Sequence, residues 1–161
     1  MIIVVWGVSG CGKTTIAKLL AKHLDWQFLD ADDFHSPQNI KKMRQGQPLN
    51  DEDRKPWLND VAAQLTNINT AGGSATLACS ALKESYRDLL GINENNIKSV
   101  LLYADQQVIQ QRLEMRQHEF MNKDLLTSQF ETLETATQGI KVSIEQPPTD
   151  ICQEIRHRLQ I

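Results

Sequence analysis

The sequence predicts an α/β fold: a three-layer αβα sandwich, with helices on both faces of a five-stranded parallel sheet and a short lid. Three observations predict it. Short apolar, β-branched runs alternate with helix-length amphipathic segments along all 161 residues. The first such run leads directly into a glycine-rich loop, and that loop into a helical pattern. Apolar content of 40% and charged content of 23% are those of an ordinary globular chain long enough to bury a core, so one domain over 1–161 is expected.

The elements follow in order. Ile2-Ile3-Val4-Val5-Trp6 is a buried strand, and residues 13–24 form a helix with Ile16, Leu19, Leu20 and Leu24 on one face. Gln27-Phe28-Leu29 is a short strand ending at Asp30. A polar stretch over 31–56 holds a short helix at Asn39–Arg44, stopped by Gln45-Gly46-Gln47-Pro48. Pro56 reads as the first-turn proline of a helix through Trp57, Leu58, Val61, Ala62 and Leu65. Ala71-Gly72-Gly73 is a turn, Ser74–Cys79 the third strand, and Ser80–Leu90 a loop and short helix. Ser99–Tyr103 is the fourth strand and Gln106–Met115 a helix. A charged segment over about 116–124 reads as the lid, followed by a helix at Leu125–Leu133. Ile140–Ile144 is the fifth strand and Pro148–Leu159 the closing helix.

Several function classes are excluded or disfavoured by composition. Net charge is −3, which argues against nucleic-acid or anionic-membrane partners. Cys11, Cys79 and Cys152 are odd in number and widely spaced, so neither a zinc pattern nor a disulfide framework is expected, in keeping with the cytoplasm. No apolar run reaches membrane-spanning length, and no signal peptide is expected ahead of the first strand.

The loop Gly7-Val8-Ser9-Gly10-Cys11-Gly12-Lys13-Thr14 matches G-x-x-x-x-G-K-[ST] between a strand and a helix. Its backbone N–H groups and the helix N-terminus suit a polyphosphate. Lys13 is expected to reach the β- and γ-phosphates and Thr14 to take a place on Mg²⁺; the ATP-binding set extends to Thr15. The third strand ends in Ser80 with no carboxylate, and no Asn-Lys-x-Asp guanine reader is present. The nearest carboxylates are Asp30, Asp32 and Asp33 at the end of the second strand. In a chain this short they point to a small-molecule kinase of the nucleoside-monophosphate-kinase type, with Asp33 expected to be a cap.

The chain resembles the gluconate kinases, small phosphate-loop kinases also similar to shikimate kinases. The resemblance lies in separated blocks: residues 29–35 (Leu-Asp-Ala-Asp-Asp-Phe-His), Asn39-Ile40 with Lys42-Met43, residues 48–58 (Pro-Leu-Asn-Asp-Glu-Asp-Arg-Lys-Pro-Trp-Leu), residues 79–83 with Tyr86-Arg87-Asp88, and residues 128–134. It implies transfer of the ATP γ-phosphoryl group to the 6-hydroxyl of D-gluconate, with ATP and Mg²⁺ as cofactors, in a cytoplasmic homodimer. Asp32 is expected to orient the attacking hydroxyl and Asp30 to hold Mg²⁺, or the two exchanged. Arg54 is expected to grip the substrate carboxylate, with Lys83 and Arg87 completing a basic wall and His35 on the polyol. Trp57 is expected in the core and Lys55 on the surface. Arg112 is expected to stack on adenine and Arg116 to reach the transferring phosphoryl group from the lid. The chain departs from the family pattern at Gln117-His118-Glu119-Phe120, at Thr135-Ala136-Thr137 and at Gly91, where a basic residue is common. Two rival readings are a shikimate-type or other sugar-acid kinase, and an ATP-binding sensor without turnover.

Overall fold

A computed structural model describes residues 1–92, 96–115, 123–136 and 138–161, the side chains of 123–125 excepted. The strands are β1 (Ile2–Trp6), β2 (Gln27–Asp30), β3 (Ala75–Cys79), β4 (Ile97–Tyr103) and β5 (Ile140–Ser143). The helices are α1 (Lys13–Leu24), α2 (Pro37–Arg44), α3 (Asp51–Thr70), α4 (Glu84–Leu89), α5 (Gln106–Met115), α6 (Lys123–Thr132) and α7 (Pro148–Leu159). All strand pairs are parallel, in the order β2-β3-β1-β4-β5.

Strand alternation builds the two outer layers. Ile3 and Val5 of β1 face a core made with Ile16 and Leu20 of α1, Ile109 and Leu113 of α5, Leu126 of α6 and Ile151 and Ile155 of α7. Ile2, Val4 and Trp6 face the other core, with Leu58, Val61 and Leu65 of α3 and Tyr86 of α4. All five residues of β1 are buried, because the central strand of a parallel sheet is covered on both faces. Each large aliphatic side chain buried in this way contributes about 1.5–3 kcal/mol. Cys11, Cys79 and Cys152 are free and buried in these layers; burial pushes the Cys79 thiol up to about 12.

Several boundaries shift by a residue or two, such as the starts of α2 at Pro37 and β4 at Ile97, and two departures from expectation have identifiable reasons. The long helix begins at Asp51, not at Pro56, because Asn50 and Asp53 form a reciprocal cap. Asp53 N–H donates to Asn50 Oδ1 at 2.7 Å, and Asn50 N–H donates to the Asp53 carboxylate at 3.1 Å. Two such bonds start the helix early enough for Pro56 to fall inside it, where the proline lacks the N–H for a helical bond. Lys42 of α2 adds bonds of 2.8 and 2.9 Å to the same Asp53 carboxylate. The cap after β2 is also supplied by a different residue. A 3₁₀ turn over Ala31–Phe34 contains Asp33, and Asp30 caps it by accepting the Asp32 N–H at 3.1 Å.

Asn50→Ala removes one half of the reciprocal cap and is expected to lower stability by about 1 kcal/mol in urea titration. A helix starting at Pro56 would leave this exposed substitution neutral.

Candidate active site

The site lies where strand connectivity reverses. Chain leaves β1 toward β2 on one side of the sheet, and leaves β3 toward β4 on the other, so a crevice opens beyond the carboxyl ends of β1 and β3. The glycine-rich loop fills its floor. Gly7 has φ +143°, and a Cβ there would stand 2.6 Å from the Leu102 carbonyl oxygen. Gly12 has φ +93° and caps α1 with no side-chain hydrogen bond. The first turn of α1 therefore presents its N–H groups to the crevice without a side-chain acceptor, the arrangement that receives a phosphate. Lys13 Nζ donates to the Val8 carbonyl at 2.9 Å, folding its ammonium back over the loop.

One wall is the turn after β2. The Asp30 carboxylate accepts the Thr14 hydroxyl at 3.1 Å through Oδ2 and the Asp32 amide at 3.1 Å through Oδ1. The Asp32 side chain is 81% exposed at the mouth of the crevice. Crowding by surrounding protein atoms, then the Asp30 charge, raises its carboxyl above the ordinary value, while His35 and Lys13 pull it down. His35 Nε2 lies 3.8 Å from Asp32 Oδ1. The imidazole stacks on Trp57 with centroids 4.2 Å apart, and Trp57 Nε1–H donates to the Ala31 carbonyl at 2.6 Å. Burial lowers the His35 pKa, so the ring is neutral at pH 7. Trp57 is thus a core residue that shelves the histidine, and Lys55 is exposed.

The other wall is basic and already partnered. Lys83 donates to both oxygens of Asp51 at 2.8 Å, and the Tyr86 hydroxyl donates to Asp51 Oδ1. Arg54 reaches the Tyr86 hydroxyl at 3.3 Å and lies 3.9 Å from Asp51 Oδ1. Arg54 and Lys83 also lie over the Tyr86 ring, at 5.8 and 5.5 Å. Asp51 and Tyr86 were not among the expected site residues. The only signal for them was their place within the two blocks that contain Arg54 and Arg87.

Arg87 stands apart from this wall. It is 5% exposed, lies 4.4 Å over the Trp6 ring, and donates to the Ala81 and Leu82 carbonyls at 3.0 Å each. Nη1 makes both carbonyl bonds, while Nη2 is buried with no partner among the described residues, and the expected place on the substrate wall stays a proposal. Sequence spacing put Arg87 on the right helix, but the guanidinium turns inward to an aromatic ring and two carbonyls. It holds the loop after β3, where Ala81 adopts a left-handed φ of +42° at a strain of about 1 kcal/mol.

A strand, an uncapped glycine loop and an acidic turn against its threonine are the parts of a kinase. The family model for shikimate kinase matches residues 9–160. A probable gluconokinase of Dictyostelium discoideum is 46% identical over 86% of this chain and 72% of its own length. The thermoresistant gluconokinase of Escherichia coli K12 is 42% identical over 91% of this chain and 86% of its own. An unliganded crystal structure of a sugar kinase from Janibacter sp. HTCC2649 superposes with a TM-score of 0.91, at 41% identity over 99% of this chain and 94% of that one. The chain belongs to the gluconokinase family. It is accordingly an ATP-dependent carbohydrate kinase of the phosphate-loop type.

Two further positions bear on this gluconokinase-family site. Gly91 follows α4 with φ +64°, and its N–H donates to the Asp88 carbonyl at 2.9 Å. The left-handed turn that ends α4 favours glycine there, which accounts for the departure from a basic residue. Arg112 of α5 donates to the Ile144 carbonyl at 2.6 Å, at the end of β5. Arg116 and His118 lie outside the described residues, as does most of the segment expected to be the lid.

The bonds from Lys83 and Tyr86 hold the Asp51 carboxyl below its ordinary value. A carboxyl lowered on folding stabilises the fold fully above about pH 4, and that contribution fades as pH falls through the folded value. In carbon-detected NMR titration Asp51 is expected to titrate below the usual aspartate range and to move back up in Lys83→Met. An unchanged Asp51 midpoint would show the pair to be absent in solution.

Proposed function

We propose that the protein transfers the γ-phosphoryl group of ATP to the 6-hydroxyl of D-gluconate, giving 6-phospho-D-gluconate. The observation that carries this reading is the Asp30 carboxylate shared between Thr14 of the phosphate loop and the amide of Asp32. It sets an acidic turn against the phosphate end of the nucleotide site, with a cationic wall beyond. Its gluconokinase relatives in Dictyostelium discoideum and Escherichia coli support gluconate as the acceptor.

Roles follow from chemistry and position. The loop Gly7–Thr15 and the N-terminus of α1 would bind the ATP phosphates, with Lys13 neutralising the β- and γ-oxygens. Asp32 would orient the 6-hydroxyl and take its proton as the oxygen attacks phosphorus. The Thr14 hydroxyl and the Asp30 carboxylate are hard oxygen donors and suit Mg²⁺, completed by water and phosphate. Bound there, Mg²⁺ would supply electrostatic neutralisation of the phosphates. Of the two role assignments open in the sequence, the Thr14 bond favours Asp30 for the metal and leaves Asp32 for the hydroxyl. Arg54 would clamp the gluconate carboxylate, with Lys83 beside it, and neutral His35 would hydrogen-bond the polyol. Arg112 is proposed for the adenine and Arg116 for the transferring phosphoryl group. Action in the cytoplasm as a homodimer belongs to the same reading and rests on the family resemblance.

The test is coupled ADP release with a panel of acceptors: gluconate, shikimate, other aldonates and a nucleoside. Gluconate-dependent release that disappears in Lys13→Met is the expected result; shikimate-dependent release, or tight ATP binding without acceptor-stimulated release, overturns it. Asp32→Asn is expected to lower kcat by roughly 10²–10⁴-fold while nucleotide affinity holds. Arg54→Lys, which keeps charge but loses the paired bonds, is expected to raise the KM for gluconate about tenfold.

A further inference from the structure

A single peptide unit of the phosphate loop is gripped from both sides. Its carbonyl, on Val8, accepts Lys13 Nζ at 2.9 Å; its N–H, on Ser9, donates to Gln129 Oε1 of α6 at 2.6 Å. Only the oxygen of a glutamine amide can accept from an N–H, so the orientation of the Gln129 side chain is fixed by its partner. Gln129 and Ser9 are 120 residues apart, so the bond ties two otherwise separate parts of the crevice together.

We infer that Gln129 is a positioning residue for phosphoryl transfer: it holds the Val8–Ser9 peptide so that the Val8 carbonyl parks Lys13 at the phosphate end of the loop. The peptide lies between Gly7 and Gly10, both at positive φ. Rotation of this peptide about ψ of Val8 and φ of Ser9 would turn the carbonyl away from Lys13. Accepting the N–H also polarises the peptide and strengthens its carbonyl as an acceptor for the ammonium. Gln129 itself stands on a braced helix. Leu126 of α6 is buried against Ile109 and Leu113 of α5, and Gln106 Nε2–H of α5 donates to Thr127 Oγ1 at 2.8 Å. Past the end of α6, Glu134 N–H donates to the Leu82 carbonyl at 2.9 Å, and its carboxylate accepts the Glu84 N–H at 2.6 Å. The α5 side chains also limit the loop directly: a Cβ on Gly10 would stand 2.8 Å from Leu113. Lys13 thus takes its place from a helix that contacts neither the nucleotide-facing amides nor the acidic turn in any bond among the described residues, apart from the one to Ser9.

The inference rests on the phosphoryl-transfer reading, and the test includes an arm that needs no acceptor. Gln129→Met keeps volume and helix propensity while removing the acceptor, and Gln129→Ala removes it with less bulk. Both are expected to lower kcat roughly 10- to 100-fold, with the KM for gluconate within about twofold. Both are also expected to weaken Mg·AMP-PNP binding several-fold, measured by calorimetry without acceptor. In the Lys13→Met background the same substitutions are expected to add less than about a twofold further loss, because the two residues act as one unit. Losses that multiply independently of Lys13, a change confined to the gluconate KM, or undiminished kcat and nucleotide affinity in a folded Gln129→Met protein would overturn the inference. If gluconate is not the acceptor, the nucleotide-affinity cycle still decides the matter.

Discussion

The Asp30 carboxylate sets the geometry on which the rest of the crevice depends. One oxygen accepts the Thr14 hydroxyl and the other accepts the Asp32 amide. Thr14 lies at the start of α1, and Asp32 lies in the turn after β2, so a single side chain fixes the spacing between the phosphate end and the acid end of the site. The sheet order makes that spacing meaningful. β2 pairs with β3 rather than with β1, so its carboxyl end stands across the crevice from the phosphate loop, not beside it. A longer carboxylate would push the turn outward, and an amide would turn one acceptor into a donor facing the Thr14 hydroxyl or the Asp32 N–H.

The basic side chains fall into two physical kinds. Arg87 is buried, stacked on Trp6 and bonded to backbone carbonyls, so moving it would strand a desolvated charge. It is part of the scaffold that carries the loop after β3. Lys83 and Arg54 are partly exposed and face Asp51, itself open to water. Pairs of that kind are weak and easily exchanged, since solvent screens the attraction. A substrate carboxylate entering the crevice would compete with Asp51 for the same cations at little energetic cost, while Tyr86 keeps the ring surface on which both cations rest. Under the proposed function, selectivity for an acidic polyol would come from an exchange of carboxylates, not from the creation of a new charge site.

The elements were legible in the sequence wherever one strong pattern dominated. β1, α1, α5 and α7 have the bounds that their apolar runs and periodicity predict. The start of α3 was less legible because two local rules disagreed there. Pro56 favoured a first-turn position, but the reciprocal bonds of Asn50 and Asp53 gained more than the one bond that the proline removes. The cap after β2 fell to Asp30 because its side chain, at the strand end, points back over the following amide. The site was legible as residue types at strand ends: Lys13, Thr14, Asp30 and Asp32 lie around one crevice. Partner choice was not legible. Nothing local to Arg87 shows that Trp6 is within reach, and nothing local to Gln129 shows Ser9, because both contacts join segments far apart in sequence.

That non-local share has a physical reason. A phosphate loop must aim its amides inward and leave the first turn of its helix uncapped, so it cannot satisfy or stiffen itself. Its glycines supply the backbone angles that the amides need, and they also raise the conformational entropy that ordering must overcome. The stiffness has to come from outside. Here it arrives at several places: the Gly7 N–H donates to the Ser80 carbonyl at 3.3 Å, α5 packs against Gly10, and Gln129 accepts the Ser9 N–H. Each brace comes from a different part of the chain. A loop held in this way is ordered before nucleotide arrives, so binding need not supply the ordering and the phosphates meet donors already in place.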